Sequence, residues 1–417
     1  MHRMAATSEI RPPLAWDTME SNRADRQRAA QTGNGATFFQ DGVGIQDAVA
    51  PPYSTLRPLN PIGPGIFPVY QGLEDALLNP TNPVDAGIAH PDHTIAHVLA
   101  TCAGYAYSDA PTLSTTMARM GLANNRCRMI STVINAMLIT STAFLVQSED
   151  GRVVILVYRG TDPSSVFNLI SDLDVQPNKV AIDIGDGGPY PLHAGFYRDL
   201  RATRYKITEA LLRAKRGFPV TGDLEDGSNE ANGNGADGNG PLEPMQALYV
   251  TGHSMGAAMA SIQSILFRTE PAYLAAFAPA LRATYAFAQP LVCGPALSTA
   301  CDEDEFLRER VIRYVYDKDP APHFPSRSMG HFTNFGREFS YEHQKWRETT
   351  ASPATQSPLM VQTLASILAS VAKPFPLLRK IPFEYRIEDH APQNYIVALT
   401  PPGVRSEFGD YTYTTQD

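Results

Sequence analysis

At 417 residues the chain is long enough for one large domain with appendages or for two domains, and a 43% hydrophobic content lets most of it bury a core. A formal net charge of -9 argues against nucleic acid as the main partner and leaves neutral, lipid-like or ester substrates open. The four cysteines, Cys102, Cys127, Cys293 and Cys301, lack metal-ligand spacing and are too few for a disulfide scaffold; Cys293 and Cys301 could bridge, but free buried thiols are the simpler reading, and no metal or cofactor is expected.

Residues 1–64 are rich in Pro, Gly, Asn, Ala and Arg with weak periodicity. They are expected to form a poorly ordered extension, or else a segment draped over the domain through Phe38, Phe39, Tyr53 and Leu56. The N-terminus has no continuous apolar stretch of the kind a secretory signal needs, and no run reaches bilayer-spanning length. The expectation is a soluble protein whose compartment stays open. Residues 65–417 are expected to form one domain.

Asp92 is placed to cap a helix from His93 onward, with Ile95, Val98, Leu99 and Cys102 at helical spacing. Residues 142–147 and 152–158 flank the turn Ser148-Glu149-Asp150-Gly151 and read as a hairpin. Its second strand, VVILVY, is apolar throughout, as a central buried strand should be, and runs into Arg159-Gly160-Thr161. Residues 164–173 (SSVFNLISDL) form a short amphipathic pattern, and a helix starting near His193 should run to about Arg216. Residues 221–240 are polar and low in complexity, which predicts a flexible surface insertion. Strands are expected at 284–289, 311–316 and 337–341, a further helical insertion within 349–376, and a strand-to-loop junction near His390. Strands alternating with helices predict an α/β fold with a mainly parallel central sheet.

The stretch 248–267 carries the chemistry. A β-prone run ends at Thr251, then Gly252-His253-Ser254-Met255-Gly256 leads without a break into an alanine-rich helical pattern. Strand, sharp turn and helix are what a nucleophile elbow requires, with glycines where a side chain would strike the neighbouring backbone. Met255 would open the helix, so its N–H can face a developing oxyanion. Thr161, in the loop after a central strand, suits the second donor, while Arg159 reads as a structural ion-pair partner.

Serine needs a base, and the base needs an orienting acid. Asp319 follows the strand VIRYVY and precedes Pro320, at a strand's carboxyl end where open α/β sheets place functional groups; Asp317 competes with it. Candidate bases downstream are His323, His331, His343 and His390. His253 and His193 read as structural histidines.

Taken together, VYRGT, FNLISDL (with Asn168, Ile170, Asp172 and Leu173), LHAGF, GHSMG and Asp319-Pro320-Ala321-Pro322 form an ordered set that resembles the class 3 lipases, the fungal-type triacylglycerol lipase family of the α/β-hydrolase fold. The resemblance spans about residues 89–395. Leu169 stands where the family's lid often has Trp, and Tyr395 lies farther from His390 than the family's spacing. The resemblance implies carboxylic ester hydrolysis, with Ser254, Asp319 and His390 as triad and Thr161 with Met255 as oxyanion hole. It makes residues 164–173 a candidate lid, with Val166, Phe167, Leu169 and Ile170 covering the site in water and facing a lipid interface when open; a plain surface helix is the alternative. The other readings are a short-chain esterase, a phospholipase, a feruloyl-type esterase, or a catalytically silent binding module.

Overall fold

The computed structural model describes residues 42–52, 68–81, 84–85, 88–89, 91–134, 139–160, 179–184, 188–222, 242–325, 330–349 and 385–404. The candidate lid, Thr161, most of the insertion 221–240 and the expected helix within 349–376 lie outside the described residues.

The strands are β1 (Gly42–Val49), β2 (Val84–Asp85), β3 (Ile88–Ala89), β4 (Arg126–Ile134), β5 (Ile139–Gln147), β6 (Val153–Tyr158), β7 (Lys179–Ile182), β8 (Tyr190–His193), β9 (Ala247–His253), β10 (Leu281–Phe287), β11 (Val311–Tyr316), β12 (Arg337–Glu342) and β13 (Lys345–Glu348). Nine of them form one sheet in the order β1-β4-β5-β6-β9-β10-β11-β12-β13. Strands β6, β9, β10, β11 and β12 run parallel through its centre. The margins are antiparallel, with β1, β4 and β5 leading into β6 on one side and β13 closing the other.

The period-2 geometry of strands sends alternate residues of the apolar runs to opposite faces. In β6, Val154, Leu156 and Tyr158 enter one core, packed with α4 (Ala194–Lys215) and α5 (Met255–Thr269). Val153, Ile155 and Val157 enter the other, packed with α2 (His93–Tyr105), α3 (Ala110–Met120) and α9 (Pro392–Leu399). The remaining helices are α1 (Leu73–Leu78), α6 (Pro271–Phe277), α7 (Pro295–Glu303) and α8 (Glu305–Arg310). Asp92 caps α2 as its spacing predicts, accepting from the N–H groups of Thr94 at 2.8 Å and Ile95 at 3.1 Å. All four cysteines are buried, and none is in a disulfide.

Two elements differ from expectation. Residues Gly42–Val49, inside the stretch read as a loose extension, form an edge strand paired along its whole length with β4. Its glycines and short polar residues hide the strand pattern, and the partner strand supplies the order. The region around His390 is a 3-10 turn, Ile387–His390, followed by helix α9, where the sequence reading had a strand-to-loop junction. Pro392 in the first turn of α9 starts that helix.

Candidate active site

The site is built at the carboxyl ends of the central strands. Strand β9 is buried along its whole length and delivers the chain to Ser254. Ser254 has φ 59° and ψ −130°, a left-handed setting that a residue with a Cβ rarely adopts. Helix α5 begins at the next residue. The bend is tight enough that a Cβ on Gly252 would strike the backbone of Gly256, and one on Gly256 would strike the carbonyl of Tyr158 on β6. Ser254 N–H donates to the Phe287 carbonyl at 2.9 Å, which ties the turn to the end of β10. The strain at Ser254 is therefore held by a close-packed glycine seat and by the neighbouring strand.

Strand β11 ends in the turn Asp317-Lys318-Asp319. Asp317 is exposed, with φ 37°, whereas Asp319 is fully buried. The turn points Asp319 back over the strand ends, where the 3-10 turn brings His390. His390 Nε2 lies 2.9 Å from Ser254 Oγ, and its Nδ1 lies 2.9 Å and 3.1 Å from the two oxygens of Asp319. Ser254, Asp319 and His390 are 1%, 0% and 2% exposed, so the row of hydrogen bonds is shielded from bulk water.

The other candidate bases go elsewhere. His323 packs its ring against Tyr385, with centroids 4.8 Å apart. His331 is exposed, and His343 is exposed at the β12–β13 turn with φ 51°.

Asp319 is satisfied on every side. It accepts the Ala321 N–H at 2.9 Å and the Tyr395 phenol at 2.5 Å in addition to His390. Burial by itself would raise its carboxyl, but the adjacent His390 and these hydrogen bonds outweigh burial and hold it below the usual range. Tyr395 sits in the first turn of α9, so the chain reaches back from His390 to the acid within one short helix. Helical periodicity in residues 392–399 would have placed Tyr395, Ile396 and Leu399 on one buried face, but nothing local in the sequence pairs Tyr395 with Asp319.

Met255 is the first residue of α5, beside Ser254, at the positive end of that helix. His253 is packed and hydrogen-bonded: its Nδ1 lies 2.9 Å from the Tyr107 hydroxyl. Arg159 donates through Nε to the Ala106 carbonyl at 2.5 Å and through a second nitrogen to the Ser108 carbonyl. Through these carbonyls it anchors the turn between α2 and α3, a structural role. His193 is buried and stacked on Phe196, with centroids 4.2 Å apart.

A sheet with parallel central strands that carries a serine on a strained strand-to-helix bend, with a histidine at its hydroxyl, has the architecture of an α/β-hydrolase. Residues 241–329, a stretch that runs from the approach to β9 through the Asp319 turn, match the family model of the class 3 lipases, and that match supports carboxylic ester hydrolase activity. No curated protein matches the chain. Among solved structures, the lipase from Rhizopus microsporus var. chinensis is 16% identical, with 75% of this chain and 90% of that one covered and a TM-score of 0.46. The Rhizomucor miehei lipase propeptide complex is 16% identical over 78% of this chain and 92% of the other, with a TM-score of 0.45. The Rhizomucor miehei triacylglyceride lipase is 17% identical over 60% and 74%, with a TM-score of 0.39. At these identities and scores the likeness decides nothing about the chemistry of this chain.

Proposed function

We propose that the protein hydrolyses lipid-like carboxylic esters through an acyl-enzyme on Ser254, with His390 as base and acid and Asp319 as its orienting partner. The observation that supports this most is one imidazole bonded at both ends, with Nε2 2.9 Å from Ser254 Oγ and Nδ1 2.9 Å from Asp319 Oδ1. A serine hydroxyl is a weak nucleophile until a neighbouring base can take its proton.

In this reading Ser254 Oγ attacks the ester carbonyl carbon as its proton passes to His390 Nε2. The carbonyl oxygen becomes an anion and is met by the peptide N–H of Met255, at the positive end of α5, and by that of Thr161, in the loop that follows Gly160. The imidazolium returns the proton to the leaving alcohol as the C–O bond breaks. Water then gives a proton to the same nitrogen and attacks the acyl carbon, and Ser254 departs with that proton. Asp319 stays ionised throughout, keeps the Nδ1 proton in place and stabilises the imidazolium. Its lowered carboxyl suits that task.

Residues 65–417 then act as one catalytic unit with surface insertions at 221–240 and 349–376. The stretch 164–173 serves as a lid whose Val166, Phe167, Leu169 and Ile170 meet a lipid interface, and triacylglycerol is the leading substrate. A short-chain esterase, a phospholipase or a feruloyl-type esterase would use the same chemistry.

Covalent labelling tests the core of the proposal. A fluorescent organophosphonate should label the wild-type protein, and Ser254→Ala should abolish the label with an unchanged circular dichroism spectrum. A wild-type protein that takes no label, or a Ser254→Ala variant labelled at full rate, rejects the assignment. Nitrophenyl esters of rising chain length then separate lipase from short-chain esterase. A rise in rate past the solubility limit of the substrate supports the lid.

A further inference from the structure

The residue before the nucleophile is a histidine with no part in the proton transfers above. His253 is 2% exposed, and its ring centroid lies 4.8 Å from that of His390 with the planes inclined at 41°. Its Nδ1 is 2.9 Å from the Tyr107 hydroxyl, and Tyr395 meets its ring edge-on at 5.7 Å. Tyr107 is in turn wedged against the elbow, because a Cβ on Gly160 would strike both its hydroxyl and the His253 carbonyl. The His253 backbone ends β9 in register with Phe287 and leads into the strained Ser254, so it cannot shift without moving the nucleophile.

We propose that His253, held by Tyr107, is a positioning residue for the ester hydrolysis: its ring is the wall against which the His390 imidazole is set. The inference rests on the ester hydrolase reading. His390 makes its two hydrogen bonds at opposite ends of one ring, to Ser254 and to Asp319. Bonds along that line leave the ring able to roll about it. A neighbouring ring packed against it, with centroids 4.8 Å apart and planes tilted at 41°, opposes the roll and keeps the Nε2 lone pair aimed at Oγ.

The charge state of His253 fits this role. The titratable groups that face it are His390, Asp319, Tyr107 and Tyr395. Burial first and His390 second push its imidazole down to about 3, with Asp319 and the His390 backbone acting in the opposite sense. Among the described residues its Nε2 has no hydrogen-bond partner, although the His390 backbone is close enough to act on it. His253 therefore stays neutral while His390 takes the serine proton. A second positive ring beside the transient imidazolium would oppose it, and the neutral His253 adds none.

Two variants test the role, assayed on a soluble nitrophenyl ester with active sites counted by organophosphonate. His253→Leu removes the ring, and Tyr107→Phe keeps the ring and removes its tether. The leucine variant should lose about tenfold in kcat per labelled site at a KM within about twofold of wild type. Tyr107→Phe should lose about threefold in kcat at unchanged KM, and it decides the matter if the leucine variant does not fold. A folded His253→Leu variant with wild-type kcat per labelled site, or one whose loss falls on KM with kcat unchanged, overturns the role of His253. A wild-type protein that neither takes the phosphonate nor cleaves the ester overturns the ester hydrolase reading itself, which is a separate failure.

Discussion

The Tyr395 phenol donates to Asp319 Oδ2 at 2.5 Å and accepts the Tyr316 N–H at 3.1 Å. One side chain on the last described helix thus ties the end of β11 to the buried acid. Tyr395 is itself packed by Trp346, whose indole N–H donates to the Ala398 carbonyl at 2.8 Å. The β12–β13 hairpin and α9 therefore brace the acid from the side away from Ser254.

Tyr395→Phe removes the phenol and leaves its packing. A hydrogen bond to a charged group contributes about 1.5–3 kcal/mol, so we expect kcat/KM to fall about tenfold or more and stability to drop by about 1–2 kcal/mol. Ester kinetics and urea unfolding check both. Wild-type kinetics in the folded variant would mean that Asp319 needs no more than His390 and the Ala321 N–H.

Gly252→Ala and Gly256→Ala should be among the most damaging single-atom changes in the chain. Each new Cβ would meet backbone rather than a flexible side-chain end. Loss of more than about 3 kcal/mol is expected, with little folded protein recovered and no phosphonate label. Full labelling of either variant would show that the turn can relax and that the serine does not depend on this seat.

His193 predicts a pH dependence. Both of its ring nitrogens are without a hydrogen-bond partner among the described residues, and burial first, then Arg198, pushes its imidazole down to about 4. The folded value is depressed, so below the ordinary value of 6.5 the unfolded chain takes up a proton that the fold refuses. This group's contribution to stability is therefore lost as pH falls from about 6.5 towards 4. His193→Phe, which fits beside Phe196 and Phe332, should reduce the stability lost between pH 7 and pH 5 by about 2 kcal/mol. Urea unfolding at the two pH values measures it, and an equal loss in variant and wild type would contradict the assignment.

Arg313 and Glu338 form a buried ion pair at 2.7 Å between β11 and β12, with Arg313 Nε also donating to the Phe335 carbonyl at 2.9 Å. Glu338→Gln or Arg313→Met alone should cost about 3–5 kcal/mol, because each leaves a buried group without its counterpart. Replacing both with apolar residues of similar volume should cost less than either single change. A double-mutant cycle by thermal melting distinguishes this from two independent losses.

The elbow was legible in the sequence because its causes are local. A β-prone run, two glycines spaced around a serine and an alanine-rich helix all lie within residues 248–267, and neighbours along the chain dictate the bend. The same holds for the Asp92 cap on α2 and for the fully apolar β6, whose burial on both faces its composition requires. The strand after β9 and the Asp319 turn could be found by following the alternation of strand and helix.

Which histidine meets Ser254 was a different kind of question. Four candidates lay downstream, His323, His331, His343 and His390, and nothing local to any of them says which returns to the serine. The choice depends on where the chain returns after leaving the sheet, and that is set by α9 packing on α2 and by Trp346 and Tyr395 filling the space over β11. The edge strand β1 and the wall that His253 and Tyr107 make beside His390 are of the same kind, since each joins residues more than 70 positions apart. Short-range sequence fixes backbone shape because it acts through sterics and hydrogen bonds between near neighbours. Side chains far apart in the chain meet only when the whole sheet and both of its cores have closed, and no single stretch of sequence carries that information.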